Sequence, residues 1–279
     1  MAYRTILVHL DAGKAVGARL DIALALAQKF DAHVVGLYAL TVVPAPTWAM
    51  SAAGGTLVEA RAKSEAELRQ GARAVWEAAV RRSGWGKTEW RSSDADVLQA
   101  MTLHARYADL LVIGQNDPGE ETSGVSSDFQ QRLPLLAGRP VLAVPYAREK
   151  RPVGDNVLVA WNASREATRA VTDALPMLRA AGQVHVAAFN PGRPGGAHGD
   201  VPGADIALYL SRHGVKVSVS QYQAADIDVG NDLLSRAADL DADLIVMGAY
   251  GHSRFAELML GGVTRTLLES MTVPVLLSH

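Results

Sequence analysis

The chain has 279 residues, with 27 Lys and Arg against 29 Asp and Glu, a formal net charge of −2 and no cysteine. This length suits two domains better than one, and near-neutral charge gives no electrostatic case for nucleic acid or an acidic membrane surface. The missing cysteines exclude disulfides, thiolate nucleophiles and Cys-ligated zinc. No apolar stretch approaches the roughly 18 residues of a membrane-spanning helix, and no signal peptide is visible, so we expect a cytoplasmic protein.

The first half opens on a strand-like apolar run, Ile6–Leu10, that ends at Asp11. An Ala-, Arg- and Glu-rich pattern predicts a long helix over Ala60–Arg82, in which Trp76 is most simply a packing residue, as is Trp85 just beyond it. The other features in chain order are a Pro-, Ala- and Gly-rich segment at 44–56, a strand within 108–114, a closing strand near Pro140–Pro145 and a charged linker at 146–152.

The second half shows the same alternation of strands and helices. Its predicted elements are a strand at Val157–Trp161, a helix from Arg165 to Ala180 capped by Ser164, a strand at Val184–Phe189, a Pro- and Gly-rich loop at 191–202, a helix at Gly203–Arg212, a strand at Val215–Ser220, a helix at Gly230–Leu240, a strand at Leu244–Met247, a helix at Val263–Ser270 and a strand at Val273–Leu277.

The two halves repeat one another. The strand-like segments 108–114 and 242–248 are 134 positions apart, and so are Pro140-Val141-Leu142 and Pro274-Val275-Leu276. The opening strands are 151 positions apart, which places Asp11 at the position of Asn162. Two copies fit a duplicated domain, and strands that are apolar without clean alternation are typical of parallel sheets covered on both faces. We therefore predict two tandem α/β domains, residues 1–147 and 153–279. Each is a doubly wound, five-stranded parallel sheet of Rossmann-like or flavodoxin-like type.

A glycine-containing loop follows the strand Leu244–Met247. In an open α/β sheet, ligands bind beyond the carboxyl ends of the strands. Glycines let the backbone approach an anion closely, and the next helix, from Val263, presents its N-terminus to the same place. The pattern indicates a phosphate site. P-loop and dinucleotide fingerprints are absent from the sequence.

This loop resembles that of the universal stress proteins, whose ATP-binding members carry Gly-x2-Gly-x9-Gly-[Ser/Thr]. Gly248, Gly251 and Gly261 match in type and spacing, whereas Gly262 stands in place of Ser or Thr. The resemblance extends over nearly the whole chain as a tandem pair. It implies that the two closing strands pair antiparallel within one molecule, which makes a pseudo-dimer and covers two sheet edges. It leaves open whether whole chains dimerise further.

The resemblance implies that the second half binds ATP or another adenine nucleotide, with Mg²⁺ held mainly by the phosphates. Adenine would lie near the ends of the first two strands and the triphosphate on the glycine loop. The implied binding residues are Ala160, Trp161, Asn162, Ala188, Gly248, Gly251, His252, Gly261, Gly262, Val263 and Thr264. No catalytic residue and no protein ligand to a metal is implied.

The equivalent loop of the first half has different residues at the glycine positions. Gly114 keeps the first glycine, but Asp117, Ser127 and Asp128 stand opposite Gly251, Gly261 and Gly262. With the further acids Glu120 and Glu121, they place negative charge where phosphates would lie. We expect that this half does not bind ATP and that it serves as a degenerate scaffold.

Several simpler interpretations stay open. The four glycines could be plain turn residues, Asn162 a local turn, Trp161 a packing residue and His252 a solvated side chain. The functional prediction is a nucleotide-dependent binding protein in stress response or signalling, with an unknown protein partner. The alternatives are a slow ATP hydrolase or phosphotransferase and a nucleotide-free protein-interaction module.

Overall fold

A computed structural model describes residues 2–40, 54–120, 125–126, 128–147, 151–189, 203–222, 229–250 and 262–279. Strands and helices alternate along these residues. The strands are β1 (Thr5–Leu10), β2 (His33–Leu40), β3 (Thr88–Asp96), β4 (Leu110–Gly114), β5 (Val141–Val144), β6 (Asn156–Trp161), β7 (Gln183–Phe189), β8 (Val217–Tyr222), β9 (Leu244–Gly248) and β10 (Val275–Ser278). The helices are α1 (Val16–Phe30), α2 (Gly54–Ser83), α3 (Val97–Ala105), α4 (Phe129–Leu136), α5 (Arg165–Ala180), α6 (Ala204–Arg212), α7 (Val229–Asp239) and α8 (Gly262–Ser270).

The ten strands form one sheet in the order β3-β2-β1-β4-β5-β10-β9-β6-β7-β8. Neighbours within each half are parallel, and each half has the strand order 3-2-1-4-5 of the Rossmann fold. The halves meet where β5 pairs antiparallel with β10. The fold class predicted from the sequence, a tandem doubly wound pseudo-dimer, is confirmed. The exact domain bounds, 1–147 and 153–279, stay a prediction.

Helices cover both faces of the sheet. One face packs against α1, α2, α5 and α6, and the other against α3, α4, α7 and α8. Alternate residues of each strand enter opposite core clusters: Ile6 and Val8 lie on the first face and Leu7 on the second. The central strands are therefore mostly apolar on both faces, as a parallel sheet with two covered faces requires, with His9 and Ser278 as buried polar residues.

Trp76 and Trp85 are packing residues, as predicted. Trp76 lies buried on the first face beneath Gly36, where a Cβ atom would come within 2.6 Å of the Trp76 ring. The close approach of helix and strand therefore needs glycine at position 36. Trp85 is half-buried, and its indole N–H donates to the Ala32 carbonyl at 3.0 Å.

Most predicted elements of the second half agree with the structure to within a residue or two. Ser164 caps α5, because its hydroxyl accepts the Ala167 N–H at 3.1 Å. β8 begins two residues later than the sequence pattern indicates. The reason is that the Val215 N–H still bonds to the Leu210 carbonyl of α6, at 3.1 Å, which keeps Val215 in the helix-closing turn.

Candidate functional site

Each half has a crevice where its strand order reverses. In the second half it lies between the carboxyl ends of β6 and β9, which end at Trp161 and Gly248. In the first half it lies between β1 and β4, which end at Leu10 and Gly114. These are the positions at which open α/β sheets bind ligands.

The same turn follows the opening strand of each half. Asp11 Oδ1 accepts the Gly13 N–H at 2.9 Å, and Asn162 Oδ1 accepts the Ser164 N–H at 3.1 Å. Ala163, inside the second turn, has a left-handed φ of 57°. Asn162 thus makes the local turn that the sequence left open, and this turn delivers the chain to the N-terminus of α5.

Gly248 lies directly against the start of α5. A Cβ atom on Gly248 would lie 2.5 Å from the Ala167 nitrogen and from the Glu166 carbonyl carbon, both of which are backbone atoms. Backbone cannot move aside as a flexible side chain can, so position 248 requires glycine. The entry of the glycine loop and the N-terminus of α5 are therefore in contact.

The return of the loop is fixed at α8. Thr264 is buried, and its hydroxyl oxygen accepts the Tyr250 N–H at 3.4 Å. Val263 is partly buried against the core. Gly262 is the first residue of α8, and a Cβ atom there would have no described atom within 4 Å.

The structure brings most of the described candidate residues to one crevice. Ala160, Trp161 and Asn162 lie at the end of β6, beside the end of β9 at Gly248. Thr264, at the start of α8, bonds to Tyr250, two residues beyond Gly248. Ala188 lies one strand further out. It is fully buried in register with Trp161 and Gln221, and its strand continues to Phe189. Trp161 packs partly buried against the core. Gly251, His252 and Gly261 lie outside the described residues.

The crevice of the first half contains a buried ion pair that the sequence analysis missed. Arg19 is 3% exposed, and its Nη2 lies 2.8 Å from Asp11 Oδ2. Arg19 Nη1 lies against Gly114, where a side chain would otherwise project. Burial raises the pKa of Asp11, but the charges of Arg19 and His9 outweigh it and the pKa is lowered overall. His9 lies 3.7 Å from the same carboxylate, and burial lowers its pKa to about 4.

A second acid closes the same crevice from outside. Both carboxylate oxygens of Glu120 accept the Lys14 N–H, at 3.1 Å, just before α1 begins. The helix N-terminus that could attract a phosphate is thus already paired with a carboxylate of the same chain. A cavity of about 40 Å³ beside Asp117 and Gln130 has room for a few water molecules. A larger one, of about 350 Å³, shares Asn116 and Gln130 with it and lies toward Arg265 and Glu269.

The two crevices differ in the size of the residues that line them. Four positions with large side chains in the first half have small ones in the second, at the repeat offsets of 151 and 134. These pairs are His9 and Ala160, Arg19 and Ala170, Gln115 and Ala249, and Phe129 and Val263. A comparison of the halves at position 19 shows arginine opposite Ala170, but not that this arginine is buried against Asp11 and Gly114.

The fold and its paired crevices define a tandem protein of two Rossmann-type domains. Residues 154–279 match the model of the universal stress protein family. The resemblance stated from the sequence is confirmed. A search among curated proteins finds no match.

Solved structures share the architecture of the whole chain. A universal stress protein from Archaeoglobus fulgidus DSM 4304 matches with a TM-score of 0.70 and 15% identity, over 98% of this chain and 95% of its own. A functionally unknown protein from Pseudomonas aeruginosa PAO1 matches with a TM-score of 0.61 and 16% identity, over 99% and 92%. At these identities the likeness shows the fold. Among the described residues, no helix is long and apolar enough to cross a membrane.

Proposed function

We propose that the second half binds ATP, or another adenine nucleotide, and that the protein acts in stress response or signalling as a nucleotide-dependent binding protein. The observation that carries this proposal is the contrast between the crevices. Arg19 and His9 fill the first, whereas Ala170 and Ala160 stand at the equivalent positions of the second. Gly248 and the start of α5 line that second crevice with backbone.

The residues present fit a nucleotide in kind. Backbone N–H groups at glycines and a helix N-terminus suit phosphates, and Thr264 adds a hydroxyl beside them. Asn162 can donate to and accept from a ribose or base, although it carries no charge. Magnesium would be held mainly by the phosphates. The proposed binding set is Ala160, Trp161, Asn162, Ala188, Gly248, Gly251, His252, Gly261, Gly262, Val263 and Thr264.

We further propose one nucleotide site per chain. In the first half, the Glu120 carboxylate accepts the Lys14 N–H at the start of α1, and the Arg19 side chain lies against Gly114. Side chains of the same half therefore already contact the backbone groups that a nucleotide would contact. Its acids Asp117 and Asp128 would repel a triphosphate. An unidentified protein partner, a homodimer of whole chains and a cytoplasmic location stay predictions.

The test is a calorimetric titration of Mg·ATP into protein that has been stripped of nucleotide by unfolding and refolding. We expect one site per chain. Gly262→Asp copies Asp128 of the first half into a position where an added Cβ meets no described atom within 4 Å, and the variant should lose most of its affinity. Gly262→Ser restores the family hydroxyl and should bind about 2- to 10-fold more tightly.

Three results would contradict the proposal in different ways. Two sites per chain would overturn the closed first half. Neither heat nor thermal protection would overturn nucleotide binding and favour the protein-interaction module. Turnover of ATP that disappears in His252→Ala, without loss of binding, would favour the slow hydrolase.

A further inference from the structure

Tyr250 links the glycine loop of the second half to the first half. Its hydroxyl donates to the carbonyl oxygen of Gln131, in α4, at 2.8 Å. Its own N–H donates to Thr264, at the start of α8. One residue therefore ties together the entry of the loop, its return and a helix that belongs to the other repeat.

The backbone of Tyr250 has an uncommon conformation. Its φ is 63°, in the left-handed region that residues with a Cβ rarely adopt. Burial raises the pKa of Tyr250, so its hydroxyl stays protonated and can donate at neutral pH. The equivalent residue of the first half is Asn116, whose N–H donates to Gln130 at 3.0 Å. The backbone link is common to both halves, whereas Asn116 lacks the phenol that reaches across.

The first half also holds the far end of α8. Gln115 is buried, and its Nε2 donates to the carbonyls of Leu268 and Glu269 at 3.0 and 3.1 Å. Residues of the first half thus contact both the segment that enters the glycine loop and the helix that leaves it. The degenerate repeat is in a position to shape the site of its neighbour.

We propose that Tyr250 is a positioning residue, through which the first half holds the two described ends of the glycine loop, residues 248–250 and 262–264, in the arrangement that binds nucleotide. This proposal rests on the proposed function for the affinity that it affects. The positioning itself does not need the nucleotide, because the contacts of Tyr250 are made by protein atoms alone.

The chain contains a closely matched control. Tyr3, in the first half, donates its hydroxyl to the carbonyl of Asp173, in α5 of the second half, also at 2.8 Å. Like the bond of Tyr250, this is a hydroxyl-to-carbonyl hydrogen bond of 2.8 Å that joins the two halves of the chain. Tyr3 lies on the other face of the sheet, with the core cluster of α1 and α5, and makes no bond to the glycine loop among its described contacts.

The experiment compares Tyr250→Phe with Tyr3→Phe in the full chain. Both variants lose one cross-half hydrogen bond, so both should lose similar thermal stability. Tyr250→Phe alone should weaken Mg·ATP binding, by about 2- to 10-fold. In protein without nucleotide, it alone should speed amide hydrogen exchange in a peptide covering residues 249–264.

Mg·ATP affinity and amide hydrogen exchange together distinguish failure of the positioning role from failure of the proposed function. If Tyr250→Phe matches Tyr3→Phe in both affinity and exchange, the positioning role is overturned. If wild-type protein binds no Mg·ATP, the proposed function fails, and the exchange comparison still decides whether Tyr250 holds the loop. Exchange that is equally fast in both variants would show that any loss at the interface loosens the loop, and would also overturn a specific role for Tyr250.

Discussion

Leu142 and Leu276 are directly opposite one another in the antiparallel pair of β5 and β10. They are 134 positions apart, the same offset that relates the two halves of the chain. Val141 pairs with Leu277 and Ala143 with Val275, so equivalent positions exchange places around the leucine pair. The pseudo-twofold axis of the molecule therefore passes between Leu142 and Leu276, both fully buried in one core cluster.

This pairing predicts similar and coupled losses of stability. Leu142→Ala and Leu276→Ala should each lower the free energy of unfolding by about 2–5 kcal/mol, because each leaves a cavity in a packed core. The double variant should depart from additivity by about 0.5 kcal/mol or more, since the two residues are direct neighbours. Urea unfolding measures all three. Leu136→Ala, at a residue 50% exposed, is the control and should change little. Strict additivity would contradict a shared site on the axis.

The sequence predicted this architecture because repetition and periodicity are carried by many residues at once. The offset of 134 aligned the closing strands without a gap, and the apolar runs located the strands. Helix caps such as Ser164 are local, since the side chain bonds only three residues ahead. Such features can be predicted without knowledge of the tertiary fold.

The closed crevice of the first half could not be predicted in the same way. Arg19 meets Gly114 across 95 positions, and an arginine in an amphipathic helix is ordinarily at the surface. The acids of the loop suggested repulsion of phosphates, but not that Glu120 occupies the start of α1. Tyr250 was passed over because its partner, Gln131, lies in the other repeat. These features depend on tertiary contacts rather than on local pattern.

The buried pair of Arg19 and Asp11 leads to a prediction about stability. Arg19→Ala leaves the Asp11 carboxylate buried without its partner and should lower the free energy of unfolding by about 3–5 kcal/mol. Adding Asp11→Asn should recover part of this loss, because the double variant then has the uncharged combination of Asn162 and Ala170 in the second half. Denaturant unfolding of the two single variants and the double variant completes the cycle. A double variant that is less stable than Arg19→Ala would contradict this account.

Burial of His9 should make the stability of the folded chain depend on pH. Its pKa is lowered to about 4 in the folded chain, chiefly by burial, although Asp11 opposes this and Arg19 reinforces it. Between pH 4 and about 6.5 the unfolded chain binds a proton that the folded chain does not. Stability is therefore fully present above pH 6.5 and lost as the pH falls, by about 2 kcal/mol at pH 5.

Denaturant unfolding at a series of pH values checks the contribution of His9. The non-titrating variant His9→Gln should show a shallower decline between pH 7 and pH 5, whatever its absolute stability. His33→Gln is the control, because His33 is part-exposed and pairs with Glu89 at the sheet edge. An unchanged slope in His9→Gln would show that other groups dominate the acid sensitivity.

Removing the charge of Glu166 should raise the affinity for nucleotide. It is nearly buried at the start of α5, and its Cβ lies beside the place where a Gly248 side chain would be. Burial raises its pKa, but its backbone hydrogen bond and Arg165 outweigh that effect, so the pKa is lowered and the group is negatively charged at neutral pH. A carboxylate there repels a triphosphate in the same crevice. Glu166→Gln should therefore bind Mg·ATP about 2- to 10-fold more tightly.

Glu166→Gln should have opposite effects on affinity and stability: the variant should bind nucleotide more tightly and yet be less stable to unfolding. A negative charge in the first turn stabilises a helix, so Glu166→Gln should lower the free energy of unfolding by about 0.3–1 kcal/mol while affinity rises. The gain in affinity should shrink as salt is added, because salt screens the repulsion that the variant removes. Glu77→Gln, which breaks the exposed pair with Arg73 on α2, should leave affinity unchanged at every salt concentration. Affinity that stays the same or falls in Glu166→Gln would mean that the phosphates do not lie beside the start of α5.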